Sequence, residues 1–149
     1  TVNFTTSSIL WGEGVVTTGF THATLASSGV VLGGNWTAVS SGFEIRNEGN
    51  VNVTLDLQVG KTAANYIGGT TPAYQWNLTN KEADSCTVVT QNITEHEFND
   101  TTTTQTRVCS VLNFIDGQDE IRIDINVTVP EDAATGTKTD TLTATAAAA

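Results

Sequence analysis

A chain of 149 residues with 38% hydrophobic content is long enough to bury one sizeable core and too short for two ordinary domains. Its net charge of −10, from six Lys and Arg against sixteen Asp and Glu, excludes nucleic acid as a partner, because phosphate neutralisation needs clustered cations. No apolar run approaches the roughly 18 residues of a spanning helix, so no membrane span is expected, and with no Met in the chain the sequence reads as a processed, secreted product.

Scarce helix formers, abundant Thr and apolar residues at period two predict an all-β chain, a single β-sandwich of jelly-roll or immunoglobulin-like type with little or no helix. Residues 2–5 form the first expected strand, with Val2 and Phe4 on one face. Ile9 and Leu10 follow, and Gly12 and Gly14 flank a break. The chain therefore divides into an N-terminal segment over 1–12 and a sandwich domain over 13–149. Strands are expected next at 14–22, 29–32, 43–47 and 51–59. The last two, joined through Glu48-Gly49-Asn50, read as a hairpin whose glycine supplies a positive φ. In the 51–59 strand Val51, Val53, Leu55, Leu57 and Val59 alternate with Asn52, Thr54, Asp56 and Gln58. One helical turn is expected over 61–66, then strands at 74–79, 86–90 and 108–114. The clearest alternation is Ile121, Ile123, Ile125, Val127 and Val129 against Arg122, Asp124, Asn126 and Thr128, and a final strand is expected over 139–146.

Seven of the twelve asparagines lie two residues before a Thr: Asn3, Asn35, Asn52, Asn77, Asn92, Asn99 and Asn126. Ser and Thr make up roughly a quarter of the chain, so chance would give about three such triplets, and the excess points to an extracellular surface that carries covalent glycans. Cys86 and Cys109 enclose a polar run over 99–105 and are expected to pair in an oxidising compartment.

Chemistry is sparse. His22 and His96 are the only histidines, and no Ser sits in a Gly-x-Ser-x-Gly elbow, so a hydrolytic triad has no motif support. Flanking Glu95 and Glu97 point away from His96 on a strand. Asp116, Asp119 and Glu120, joined by Asp124, form the one acidic cluster with calcium-ligand chemistry, without the spacing of an EF-hand. No resident metal or other cofactor is expected. Trp11, Trp36 and Trp76, with Tyr66 and Tyr74, serve either as core anchors or as a sugar-stacking platform.

The segment Gly42-Phe-Glu-Ile-Arg-Asn-Glu-Gly-Asn-Val-Asn-Val-Thr-Leu55 resembles the strand, Asn-x-Gly-Asn turn and strand of TasA-like secreted fibre proteins and the related archaeal bundling pilins. The tail Val127-Thr-Val-Pro-Glu-Asp-Ala-Ala-Thr-Gly-Thr-Lys-Thr-Asp-Thr-Leu142 resembles the closing hairpin of extracellular sandwich domains. Together the two segments cover about 30 residues. The resemblance implies a sandwich whose N-terminal segment enters the next subunit as a donated strand, in a cell-surface filament serving adhesion and biofilm formation. Val2, Phe4, Ile9 and Leu10 are the apolar plugs suited to that role. The competing expectation is a monomeric adhesin or carbohydrate-binding module that uses the aromatics.

Asn52 and Asn126 stand on the polar faces of their strands, so both are expected to carry glycans. Intact-mass measurement of native protein should exceed the 15.7 kDa of the polypeptide by several glycans; an unmodified mass would remove the glycoprotein reading.

Overall fold

The alternating aliphatics at 121–129 become the spine of a computed structural model that describes residues 1–88 and 96–149. This spine is β10 (Glu120–Pro130), with Ile121, Ile123, Ile125 and Val127 buried. Along one edge it pairs antiparallel with β6 (Ala73–Asn80), from Ile121 opposite Asn80 to Thr128 opposite Ala73. The other edge is divided. β4 (Phe43–Asn47) takes Glu120 to Ile123, and β2 (His22–Ala26) takes Asn126 to Pro130. Ser27 closes the gap between them. Its N–H donates to Ile125 O at 2.9 Å, and its hydroxyl accepts from Ile125 N at 2.9 Å while donating to Asp124 Oδ1 at 2.7 Å. β1 (Val2–Thr6) flanks β4, β3 (Val30–Leu32) flanks β2, and β8 (Asn99–Asp100) flanks β6, giving a seven-stranded antiparallel sheet forked about β10.

The second sheet has the order β11 (Leu142–Ala148), β5 (Val53–Val59), β9 (Thr106–Leu112), β7 (Cys86–Val88), again antiparallel. From β4 onward each successive strand lies in the other sheet. The residues between β4 and β5 are therefore a crossing between layers and not the expected hairpin. Gly49 has no positive φ. Asn47 holds the corner instead: its side chain donates to Val51 O and Leu112 O and accepts from Gly49 N. Both strands turn their apolar faces into one core, from opposing sheets.

Trp76, Leu78, Ile45, Ile121 and Ile123 of the first sheet meet Leu55, Leu57, Val59, Val108 and Leu112 of the second in one cluster. Cys86 and Cys109 are bonded inside it, with Cα atoms 5.5 Å apart, a cross-link worth about 3 kcal/mol in the chain-entropy account. The helical turn is present as α1 (Ala63–Tyr66), its first turn capped by Thr62 Oγ1, which accepts from Asn65 N.

The 14–22 strand is not formed. Val16 makes one bridge with Gly34, Gly19 has a φ of 95°, and regular pairing starts only at His22. The expectation for 108–114 is displaced toward the N-terminus, leaving Phe114 exposed. Residues 89–90 of the expected 86–90 strand lie outside the described residues.

Trp76 is fully buried. Trp76→Ala should cost about 3–5 kcal/mol in urea unfolding monitored by circular dichroism; a loss below about 1 kcal/mol would place the core elsewhere.

Candidate functional site: the N-terminal strand and its surroundings

β1 is the outermost strand of its limb of the sheet, and none of its residues is fully buried. Val2 stands opposite Asn47, Phe4 opposite Ile45 and Thr6 opposite Glu44, with a register shift between Phe4 and Thr6. Val2, Phe4 and Ile9 pack against the core, Phe4 edge-on to Phe43 at 5.9 Å between centroids, whereas Leu10 is 82% exposed. The N-terminal segment thus completes the edge beside β4 in its own chain.

All three polar side chains of β1 donate to carboxylates. Asn3 Nδ2 donates to Glu48, Thr5 Oγ1 to Glu120, and Thr6 Oγ1 to Glu44 at 2.9 Å. Glu120, 1% exposed, also accepts from Arg46 Nη2 at 2.9 Å and lies 3.2 Å from Lys81 Nζ, which is 2.8 Å from Glu44. Burial pushes the Glu120 carboxyl up, but the hydrogen bonds from Thr5, Arg46 and Lys81 together hold it below the ordinary value. Asp119 moves the other way. Burial first and the neighbouring Glu82 second raise it, against the pull of Arg46. Further along the face, Arg122 Nη2 lies 2.8 Å from Asp124 Oδ1 and donates to the carbonyls of Ser27 and Ser40.

Glu120 and Asp124 are bonded to cationic side chains, Asp116 is exposed, and among the described residues no group of three acids, His or Cys converges on a metal position.

Beyond β1 the chain runs largely unpaired. Leu10 and Val15 face outward, and Gly12 has a φ of 73°. At Gly14 a Cβ would lie 2.2 Å from the Trp36 ring, so only glycine fits there. This stretch borders a groove of about 790 Å³, lined by Trp11, Trp36, Tyr66, Leu25, Val127 and Val129. The groove lies toward the Pro130 end of β10 and β1 beside the Glu120 end, ends that are roughly 30 Å apart at about 3.3 Å per residue. Trp76 is a core residue, while Trp11 and Trp36 are half-buried, and the Tyr66 and Tyr74 rings touch at 4.8 Å.

Asn3 and Asn35 are exposed, and Asn52, Asn77, Asn99 and Asn126 are half-buried; Asn92 lies outside the described residues, as does Glu95 beside the exposed His96. Asn77 faces Asp124 and Asn126 faces Gln75 across the β6–β10 pair, with Asn126 Nδ2 donating to Gln75 at 3.0 Å. The Oδ1 atoms of Asn52, Asn77 and Asn126 are buried without a hydrogen-bond partner. Sequence reasoning missed the Glu44–Arg46–Lys81–Glu120 network. Its only trace is the alternation of charge at polar positions of two strands whose pairing is not written locally.

No protein-family model matches this chain, no curated protein matches it, and no solved structure matches it.

Because the folded-state value of Glu120 is lowered, its stabilisation is complete above the ordinary value of 4.5 and is lost as pH falls through the lowered one. Glu120→Gln should lose about 1.5–3 kcal/mol in urea unfolding at pH 7, and the gap from the unsubstituted chain should be smaller at pH 3 than at pH 7. A gap of equal size at both pH values would exclude the ionised carboxylate as its source.

Proposed function

We propose that this chain is the structural, non-enzymatic subunit of a glycosylated extracellular filament, a pilus-like thread at the cell surface in which β1 of one copy completes the sheet of the next. The observation that carries this reading is the placement of β1. It is a short edge strand, packed on the core through half-buried Val2, Phe4 and Ile9, and tied to the domain by a long stretch with one strand-like bridge. Such an element can be exchanged between identical copies, because the receiving edge already fits it. A head-to-tail contact that does not close continues into a fibre. The similarity of residues 42–55 to TasA-like and archaeal bundling-pilin sequences supports the same class, and the seven sequons suit a surface bathed by solvent.

A second reading is favoured by the groove between Trp11, Trp36 and Tyr66, whose aromatic faces could stack a sugar in a monomeric adhesin or carbohydrate-binding module.

Negative-stain microscopy of the purified protein separates the two. Filaments are expected from the full chain and none from a chain lacking residues 1–10, with free peptide of that sequence capping growth. A truncated chain that still forms normal filaments would sink strand donation. A full chain that stays monomeric and binds oligosaccharide would establish the second reading.

A further inference from the structure

We propose that the three carboxylates that hold β1 form a pH-operated latch, which keeps the N-terminal strand on its own sheet near neutrality and frees it on acidification. This rests on the reading of β1 as an exchangeable strand and adds the condition under which it leaves.

β1 reaches the core only through half-buried side chains, so its retention depends heavily on its polar face. There Asn3, Thr5 and Thr6 each donate to a different carboxylate, Glu48, Glu120 and Glu44, carried by β4, the corner after it and β10. A hydrogen bond to an ionised acceptor is roughly twice as strong as a neutral one. Protonation of each acceptor weakens its bond to β1, whereas a core strand such as β5 is held chiefly by buried Val53, Leu55, Leu57 and Val59, beside one ion pair of Asp56 with Arg107 of β9.

The charged neighbours set where the latch opens. Arg46 and Lys81 face Glu120, with Asp119, Glu82 and Asp116 on the same side; Lys81 and Arg122 face Glu44. The two cations beside Glu120 keep it ionised below the usual carboxylate range, so the last hold on β1 is released only in distinctly acidic solution. Glu48 lies at the exposed corner, with Asn3 as its β1 partner.

Hydrogen exchange of the full chain, read by mass spectrometry and divided at each pH by the rate of an unstructured peptide, tests the latch. Between pH 7 and pH 2.5 the protection of residues 2–6 and 43–47 should fall at least tenfold while that of β5 and β9 is retained. In a Thr5→Val, Thr6→Val double variant the protection of residues 2–6 should already be low at pH 7 and vary less with pH. Protection at β1 that is independent of pH, a loss shared equally by all strands, or a double variant with the original pH step would each overturn the latch. Filament formation is scored separately on the same samples. Acid release of β1 without filaments keeps the latch and overturns strand exchange, and filaments formed with pH-independent protection of β1 do the reverse.

Discussion

β10 carries the architecture because its backbone is shared by three partners. A strand ordinarily has two neighbours; this one has β6 along one edge, and β4 and β2 in succession along the other. The division is possible only if the backbone groups at the fork find partners, since an unpaired buried amide costs about as much as a lost hydrogen bond. Ser27 supplies them, bonding both backbone groups of Ile125 and the Asp124 carboxylate. The two limbs then run outward to different edges, one ending in β1 and the other in β3.

The outer face of the forked sheet is unusual in burying charge. Glu120 and Asp124 are largely withdrawn from water, a placement that is expensive unless the charge is paired. Pairing is supplied from the neighbouring strand and turn, by Arg46 and Lys81 for Glu120, and from the same strand by Arg122 for Asp124. Arg46 and Lys81 remain substantially exposed, so the network is screened on its cationic side and held on its acidic side. That asymmetry suits a surface whose overall charge is −10, where cations are scarce and Arg46, Lys81 and Arg122 are placed against buried acids. It also explains why hydroxyl and amide donors from β1, and not further Lys or Arg, complete the set.

Edges show how the sandwich manages its unpaired backbone. β3 has three residues and β8 two, too short to template an incoming chain. β1 and β11 are longer, and β11 carries only Leu, Thr and Ala, with no charge or proline to discourage pairing. A protein that avoided self-association would blunt such edges, and their persistence in an acidic, sequon-rich chain agrees with an assembling subunit. The disulfide between β7 and β9 stiffens the opposite margin of the second sheet, far from β11 in strand order.

The sequence by itself determined the all-β class, the core faces of 53–59 and 121–127, though not the exposed Val51, and the helical turn now seen at 63–66, because period-two alternation and turn chemistry are local properties read along a few residues. The Cys86–Cys109 bond was equally legible, since two cysteines leave one pairing within the chain. Tertiary structure alone decided which strands meet. The crossing at 47–53 looks like a hairpin in sequence, and only the pairing of β4 with β1 and β10, and of β5 with β9 and β11, puts the two strands in different layers. The loss of a strand at 14–22 has the same origin, because Gly14 must yield space to the Trp36 ring and regular pairing begins only where β2 reaches β10. Likewise only the fold brings Arg46 of β4 and Lys81 of the turn after β6 against Asp119 and Glu120. Electrostatic partners in a sheet are set by register between distant segments, and register is fixed by burial of the whole set of side chains at once.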